Sequence, residues 1–164
     1  MLSYQHPYHA GCLADVHKHF CLSALLAAMA STGQKIHYVE THAGRGIYNL
    51  NSPEAHKTGE AKLGIIPLLE KGMIAETHPY YQTIHVIRKL RGPNSYPGSP
   101  FIAKYFLSPK HRISLFELHP QEYAALLKNI SAPFLTIHKQ DGYTGALNLK
   151  LRSEQQNIVF IDPS

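Results

Sequence analysis

KIHYVETHAGRG, residues 35–46, changes character halfway along. Its first half is rich in β-branched and aromatic residues, the composition of a buried strand. Its second half places Gly44 and Gly46 one residue apart. Glycine has no Cβ, so such a turn lets backbone come close to a ligand. Glu40 sits at the junction, where a strand would hand an acid to the turn.

Three later segments repeat this delivery. HRISLFELHP, residues 111–120, predicts a strand ending in Glu117. APFLTIHKQDGY, residues 132–143, predicts one ending near Asp141 and Gly142. NIVFIDPS, residues 157–164, climbs through four apolar residues to Asp162 and Pro163. QEYAALLKNI and YTGALNLKL lie between them and read as helices. Strands alternating with helices argue for βαβ units, hence an α/β fold on a parallel sheet.

The rest of the chain frames this sheet. A helix is expected over residues 15–31, with Val16 and Phe20, and Leu22 and Leu26, at i, i+4 spacing, and Gly33 as its stop. Residues 1–12 read as an extended, irregular arm, and 47–59 as a loop. Residues 60–91 read as two helical pieces, the first (60–72) interrupted by Pro67 and the second over 79–90. SYPGSP, residues 95–100, is a turn that opens a helix over 101–107. No repeat, low-complexity tract or domain linker is visible.

In an open parallel sheet, ligands sit beyond the carboxyl ends of the strands. Here four strands in succession end in an acid or a glycine turn. Glu117, after the second of them, has the chemistry to accept hydrogen bonds from two ribose hydroxyls. Asp141 could accept from the exocyclic amine of a purine. A carboxylate-rich pocket repels a pyrophosphate and suits a cationic nucleoside, which favours S-adenosyl-L-methionine over a dinucleotide. The turn departs from the dinucleotide G-x-G-x-x-G pattern as well.

Composition narrows the class. The 164 residues are 44% hydrophobic and 16% charged, values of a globular chain with a core. No run approaches the roughly 18 apolar residues of a membrane span. Cys12 and Cys21 lack metal or redox spacing, so a reducing compartment and a cytoplasmic, soluble protein are expected. Twelve histidines raise the question of zinc, yet His6-x-x-His9 and His17-x-His19 match no zinc pattern, and no metal is expected. The net charge of +5 favours an anionic partner, with the excess concentrated at His85, Arg88, Lys89 and Arg91. A basic last turn of a solvated helix would also account for that cluster.

ETHAGRG followed by Asp162-Pro163 resembles the D-x-x-A-G-x-G and (D/N)-P-P-(Y/F) pair of adenine-N6 methyltransferases. With YQHPYHAGCLADVHKH at the start, then KTGEA, YPGSP, FELHP and DG in the same order, the whole chain resembles the bacterial family that methylates an adenine N6 in 23S ribosomal RNA. Some of its members were earlier described as proteins for using external DNA as a nutrient. The arm departs from that family at Cys12 and Leu13, where Asn and His are expected.

The resemblance implies a Rossmann-like class I methyltransferase sheet with helices on both faces, in a single domain over 1–164 with a helical insertion at about 54–92. It implies S-adenosyl-L-methionine contacts at His19, His42, Ser99, Glu117, Asp141 and Gly142, and a catalytic acid at Asp162. Tyr4 and Lys18 fall at substrate positions, 23S rRNA is the implied partner, and a monomer is the default. The family motif continues Asp-Pro-Pro-Tyr, so the chain is expected to represent the front part of the enzyme, without the aromatic that stacks on the target base. Its last strand is then expected to present an apolar sheet edge. Two rival functions stand beside this one: a non-catalytic nucleic-acid-binding remnant, and a DNA-directed protein.

Overall fold

The computed structural model describes residues 8–163. α1 (Leu13–Ser31) comes first, and Cys12 caps it by accepting the Asp15 amide on Sγ. The segment before it differs from the extended arm expected: residues 8–11 form a tight turn, with Ala10 and Gly11 buried. β1 (Ile36–Glu40) follows, with all five residues buried, as a strand covered on both faces requires.

Four strands form one parallel sheet in the order β5-β4-β1-β6. β4 (Arg112–Phe116) pairs with one side of β1, and β5 (Leu135–His138) pairs outside β4. The chain then crosses back, and β6 (Gln156–Phe160) pairs with the other side of β1. The direction of winding therefore reverses between β1 and β6, the switch point at which open α/β sheets hold their ligands. This is a Rossmann-like α/β sheet. β6 lies at its edge, with Val159 43% and Ile161 54% exposed.

Register divides the sheet into two faces. Ile36, Tyr38, Ile113, Leu115, Leu135, Ile137, Ile158 and Phe160 share one face and join one core cluster. Leu22 and Leu26 of α1, Ile102 of α5 (Ser99–Phe106), and Leu126 of α6 (Pro120–Asn129) close it. Leu26 and Ile102 have no exposure, so truncating either to alanine would cost ~2–5 kcal/mol. On the opposite face, α7 (Gly142–Asn148) lays Gly145 against the Phe116 ring.

Between β1 and β4 the chain builds a second cluster, including Tyr48, Leu50, Ile65, Tyr80, Ile84 and Tyr96. Residues 47–59, expected as loop, contain β2 (Ile47–Asn49) and α2 (Pro53–Thr58). β2 pairs antiparallel with β3 (Ser95–Pro97) within the stretch expected as a turn. The helical piece expected over 60–72 is a 3₁₀ turn (Glu60–Lys62) and then α3 (Ile65–Glu70). Gly64 separates them, lying so close to the Gly11 carbonyl that a Cβ would stand 2.1 Å from its oxygen. Pro67 does not break α3: it sits in the first turn, where its missing N–H is no loss. α4 (Pro79–Arg91) completes this segment.

Candidate functional site at the strand tips

The loop after β1 is pinned from both flanks. The Thr41 amide donates to the Phe160 carbonyl of β6 at 3.1 Å, and the Ala43 amide to the Phe116 carbonyl of β4 at 3.0 Å. Gly44 and Gly46 then turn the chain with φ of +60° and +75°. Arg45 between them points away and forks onto the buried Glu122 of α6 at 2.9 and 2.6 Å. That bidentate pair fixes the loop's outer side.

Glu117 lies just beyond β4. One carboxylate oxygen accepts the Gly44 amide at 2.7 Å and the other accepts the His119 amide at 2.7 Å. Each oxygen keeps a further acceptor site, so two hydroxyl donors can still be received. Asp141 caps α7 through the Thr144 amide at 2.8 Å. That backbone hydrogen bond holds its carboxyl below the usual range, so it is ionised at neutral pH. Gly142 packs against the loop so closely that a Cβ would stand 1.9 Å from the Thr41 carbonyl oxygen. His42 accepts from or donates to Thr41 Oγ1 at 2.8 Å, and its ring meets that of Tyr143 edge to face at 5.2 Å.

On the β6 side of the switch point, Asp162 is held by Lys18 of α1, whose Nζ donates to Oδ2. Lys18 also lies 2.9 Å from the buried Asp15. Burial works against its charge, but the two carboxylates outweigh burial and hold the ammonium above its ordinary range.

Glu40, at the tip of β1, is fully buried. It accepts the Ser99 hydroxyl at 2.5 Å and the Tyr38 hydroxyl at 3.0 Å. Burial pushes its carboxyl up to about 8 despite those bonds and Lys18, and the charge of Asp162 adds to the rise. Glu40 is therefore largely neutral at pH 7. Ser99 opens α5 without capping it, since Gly98 is the N-cap and the Ser99 hydroxyl is spent on Glu40. His19 is 1% exposed, and its Nδ1 meets the Tyr96 hydroxyl at 3.1 Å, which in turn meets Tyr80 at 2.9 Å.

Glu117, Asp141 and Gly142 thus lie around the β1 loop that carries His42, while Lys18 pairs with Asp162 and Ser99 with Glu40. His19, on the buried side of α1, joins a network with Tyr96 and Tyr80. Tyr4 lies outside the described residues. Sequence reasoning missed Asp15, Tyr38, Arg45 and Glu122. Only Asp15 and Lys18, at i, i+3 on a helix, carried a local signal.

The residues present suit an S-adenosyl-L-methionine nucleoside. Glu117 has acceptor capacity to spare and the carboxylates favour a cation, while the Cβ positions of Gly44 and Gly142 are filled by Tyr48 and the Thr41 backbone. Among the described residues, no three His, Cys, Asp or Glu side chains gather as a metal site would need. No helix among them is long and apolar enough to cross a membrane.

Sheet order and acid-tipped strands define a Rossmann-like fold of the methyltransferase kind. The sequence pattern of the family described as "Ribosomal RNA large subunit methyltransferase D, RlmJ" matches residues 33–164. Two proteins named Ribosomal RNA large subunit methyltransferase J are similar over 99% of this chain, that of Haemophilus influenzae at 36% identity and that of Escherichia coli at 34%. A crystal structure of protein LPL1258 from Legionella pneumophila superposes with a TM-score of 0.80 at 35% identity, covering 95% of this chain and 58% of that one. The chain belongs to this methyltransferase family. It spans 59% of the length of each of the two curated relatives.

Proposed function

We propose that the chain carries the cofactor pocket and the catalytic acid of an S-adenosyl-L-methionine-dependent methyltransferase acting on an adenine N6 of 23S rRNA. The supporting observation is the convergence, around one switch point, of Glu117, Asp141 and Gly142 on one side with Asp162 and Lys18 on the other. The two relatives carry names that specify large-subunit ribosomal RNA as substrate.

S-adenosyl-L-methionine supplies an electrophilic methyl group. Glu117 would hold the ribose hydroxyls, Asp141 the adenine amine of the cofactor, and the glycine loop its backbone-facing edge. His42 and Ser99 would complete the lining, with His19 supporting the wall through Tyr96. The amine of a target adenine is a poor nucleophile, because its lone pair is delocalised into the ring. Asp162 would accept a hydrogen bond from that amine and draw it toward a reactive geometry, with the base out of its helix. Lys18 orients Asp162 through its hydrogen bond, and the family resemblance assigns Tyr4 to the base.

Transfer of labelled methyl groups to unmodified 23S rRNA tests this, using the chain and its Asp162→Ala variant beside a DNA strand of the same sequence. N6-methyladenine in the RNA that falls at least ~100-fold in the variant is expected. Equal label from both proteins would remove Asp162 from the chemistry, and preferential labelling of DNA would replace the substrate.

A further inference from the structure

The basic cluster at the end of α4 divides once it is seen in three dimensions. Lys89 and Arg91 are exposed, as helix-end cations usually are. Arg88 is half-buried and lines two adjoining clefts. Its Nε is buried with no acceptor, and no carboxylate pairs with it among the described residues. Arg45, the other half-buried arginine here, has both its Nε and an Nη on Glu122. A guanidinium desolvated without a counter-charge is costly, and burial lowers its proton affinity accordingly, though it stays cationic.

The two clefts differ in charge. The larger, of about 290 Å³, also meets Tyr81, His85 and the acidic Glu70. The smaller, of about 180 Å³, has no acid in its wall. Its polar lining is Arg88, Lys62, His56, Asn51 and Asn94. His56 Nε2 and Asn51 Oδ1 lie 2.7 Å apart, so the Asn51 carbonyl is used internally and its amide N–H groups remain for an incoming oxygen. Arg88, Lys62, Asn51 and Asn94 therefore offer donors, while His56 spends its N–H on orienting Asn51. A space of this size is below the ~300–1,000 Å³ typical of drug-sized ligands, and fits one tetrahedral anion.

We propose that Arg88, with Lys62, Asn51 and Asn94, forms a seat for one phosphate of an RNA backbone, with His56 holding the Asn51 amide toward it. This rests on the reading that the substrate is RNA. The phosphate supplies the acceptor that the protein omits, in the two-oxygen geometry that a guanidinium matches and an ammonium does not. Tyr81 and His85, stacked with rings 11° from parallel, stand in the neighbouring cleft beside the path such a strand would take.

Two measurements decide it. Binding of a 23S rRNA hairpin is followed against salt for the chain, Arg88→Gln, Arg88→Lys and Arg112→Gln, the last an exposed arginine at the start of β4. Arg88→Gln is expected to weaken binding about tenfold and to reduce the salt slope by about 0.7–0.9, the contribution of one phosphate. Arg88→Lys should recover the slope but not all of the affinity, and Arg112→Gln should change neither. Separately, inorganic phosphate is titrated into the unmodified chain while arginine Nε–H resonances are followed by NMR, which depends on no variant folding. Saturable movement of the Arg88 resonance is expected.

An Arg88→Gln protein that binds the hairpin like Arg112→Gln overturns the seat and leaves the proposed function intact. Saturation by phosphate together with unchanged RNA binding overturns it in favour of a small free anion. No RNA binding by the unmodified chain counts against the proposed substrate instead, and an unmoved Arg88 resonance then removes the seat as well.

Discussion

Lys18 on α1 and Asp162 beyond β6 lie 144 residues apart in sequence and share a hydrogen-bonded ion pair. The same ammonium contacts Asp15, whose side chain is 2% exposed. One cation thus ties the first helix to the tip of the last strand and neutralises part of an acidic cluster. Asp15 also accepts the Gly11 amide at 3.1 Å.

Lys18→Met should accordingly destabilise the fold by ~2–4 kcal/mol, since it breaks a mostly buried ion pair shared with two carboxylates. Denaturant unfolding of the variant and of the double variant Lys18→Met/Asp15→Asn checks this. The double variant should recover much of the loss. A single variant as stable as the parent would show the pair to be a surface contact without weight.

Glu40 makes stability depend on pH with a definite sign. Its carboxyl titrates at about 8 in the fold against an ordinary value of 4.5. Between those values the unfolded chain has released the proton and the folded chain retains it, so stability falls as pH rises from about 4.5 through about 8. The full loss is on the order of 4–5 kcal/mol, before other groups contribute. Urea unfolding at pH 5, 7 and 9 should show this decline in the parent and a flatter profile in Glu40→Gln, which keeps an acceptor for Ser99 or Tyr38. Parallel profiles would mean that Glu40 ionises freely.

Gly142→Ala tests the seating of α7. The new methyl group would meet the Thr41 carbonyl oxygen at 1.9 Å, so either α7 or the β1 loop must move. Because both are backbone, relief by a side-chain turn is unavailable, and a cost of at least ~1–3 kcal/mol is expected. Thermal unfolding measures the cost. An unchanged midpoint would show that α7 is free to shift.

The four sheet strands were legible because each is a short apolar run closed by an acid or a glycine, and the parallel order followed from the helices between them. Boundaries held to within a few residues, as at α1, expected from 15 and observed from Leu13. β2 and β3 were hidden because each has three residues and lies in turn-like sequence, with Pro97 ending β3. α2 had announced itself: Ser52 accepts the Ala55 amide, Pro53 is its first residue, and Gly59 closes it in the left-handed region. The same residue types also build loops and turns, so the sequence of this stretch reads as a loop.

At the site, the strand-tip acids were readable one by one, but their partnerships were not. Glu40 reaching Ser99, and Arg45 reaching Glu122, join residues 59 and 77 positions apart. Nothing local marks such pairs. Ser99 in particular carries the sequence signature of a helix cap, yet the fold gives its hydroxyl a buried acid to bond.

The most direct test of the central claim is calorimetric titration of the chain with S-adenosylhomocysteine, beside Glu117→Ala. The pocket described predicts one saturable site in the parent, weakened at least ~30-fold in the variant, because two ribose hydroxyls lose a charged acceptor. A folded parent that shows no binding, or a variant that binds as the parent does, would contradict a nucleoside site at these strand tips.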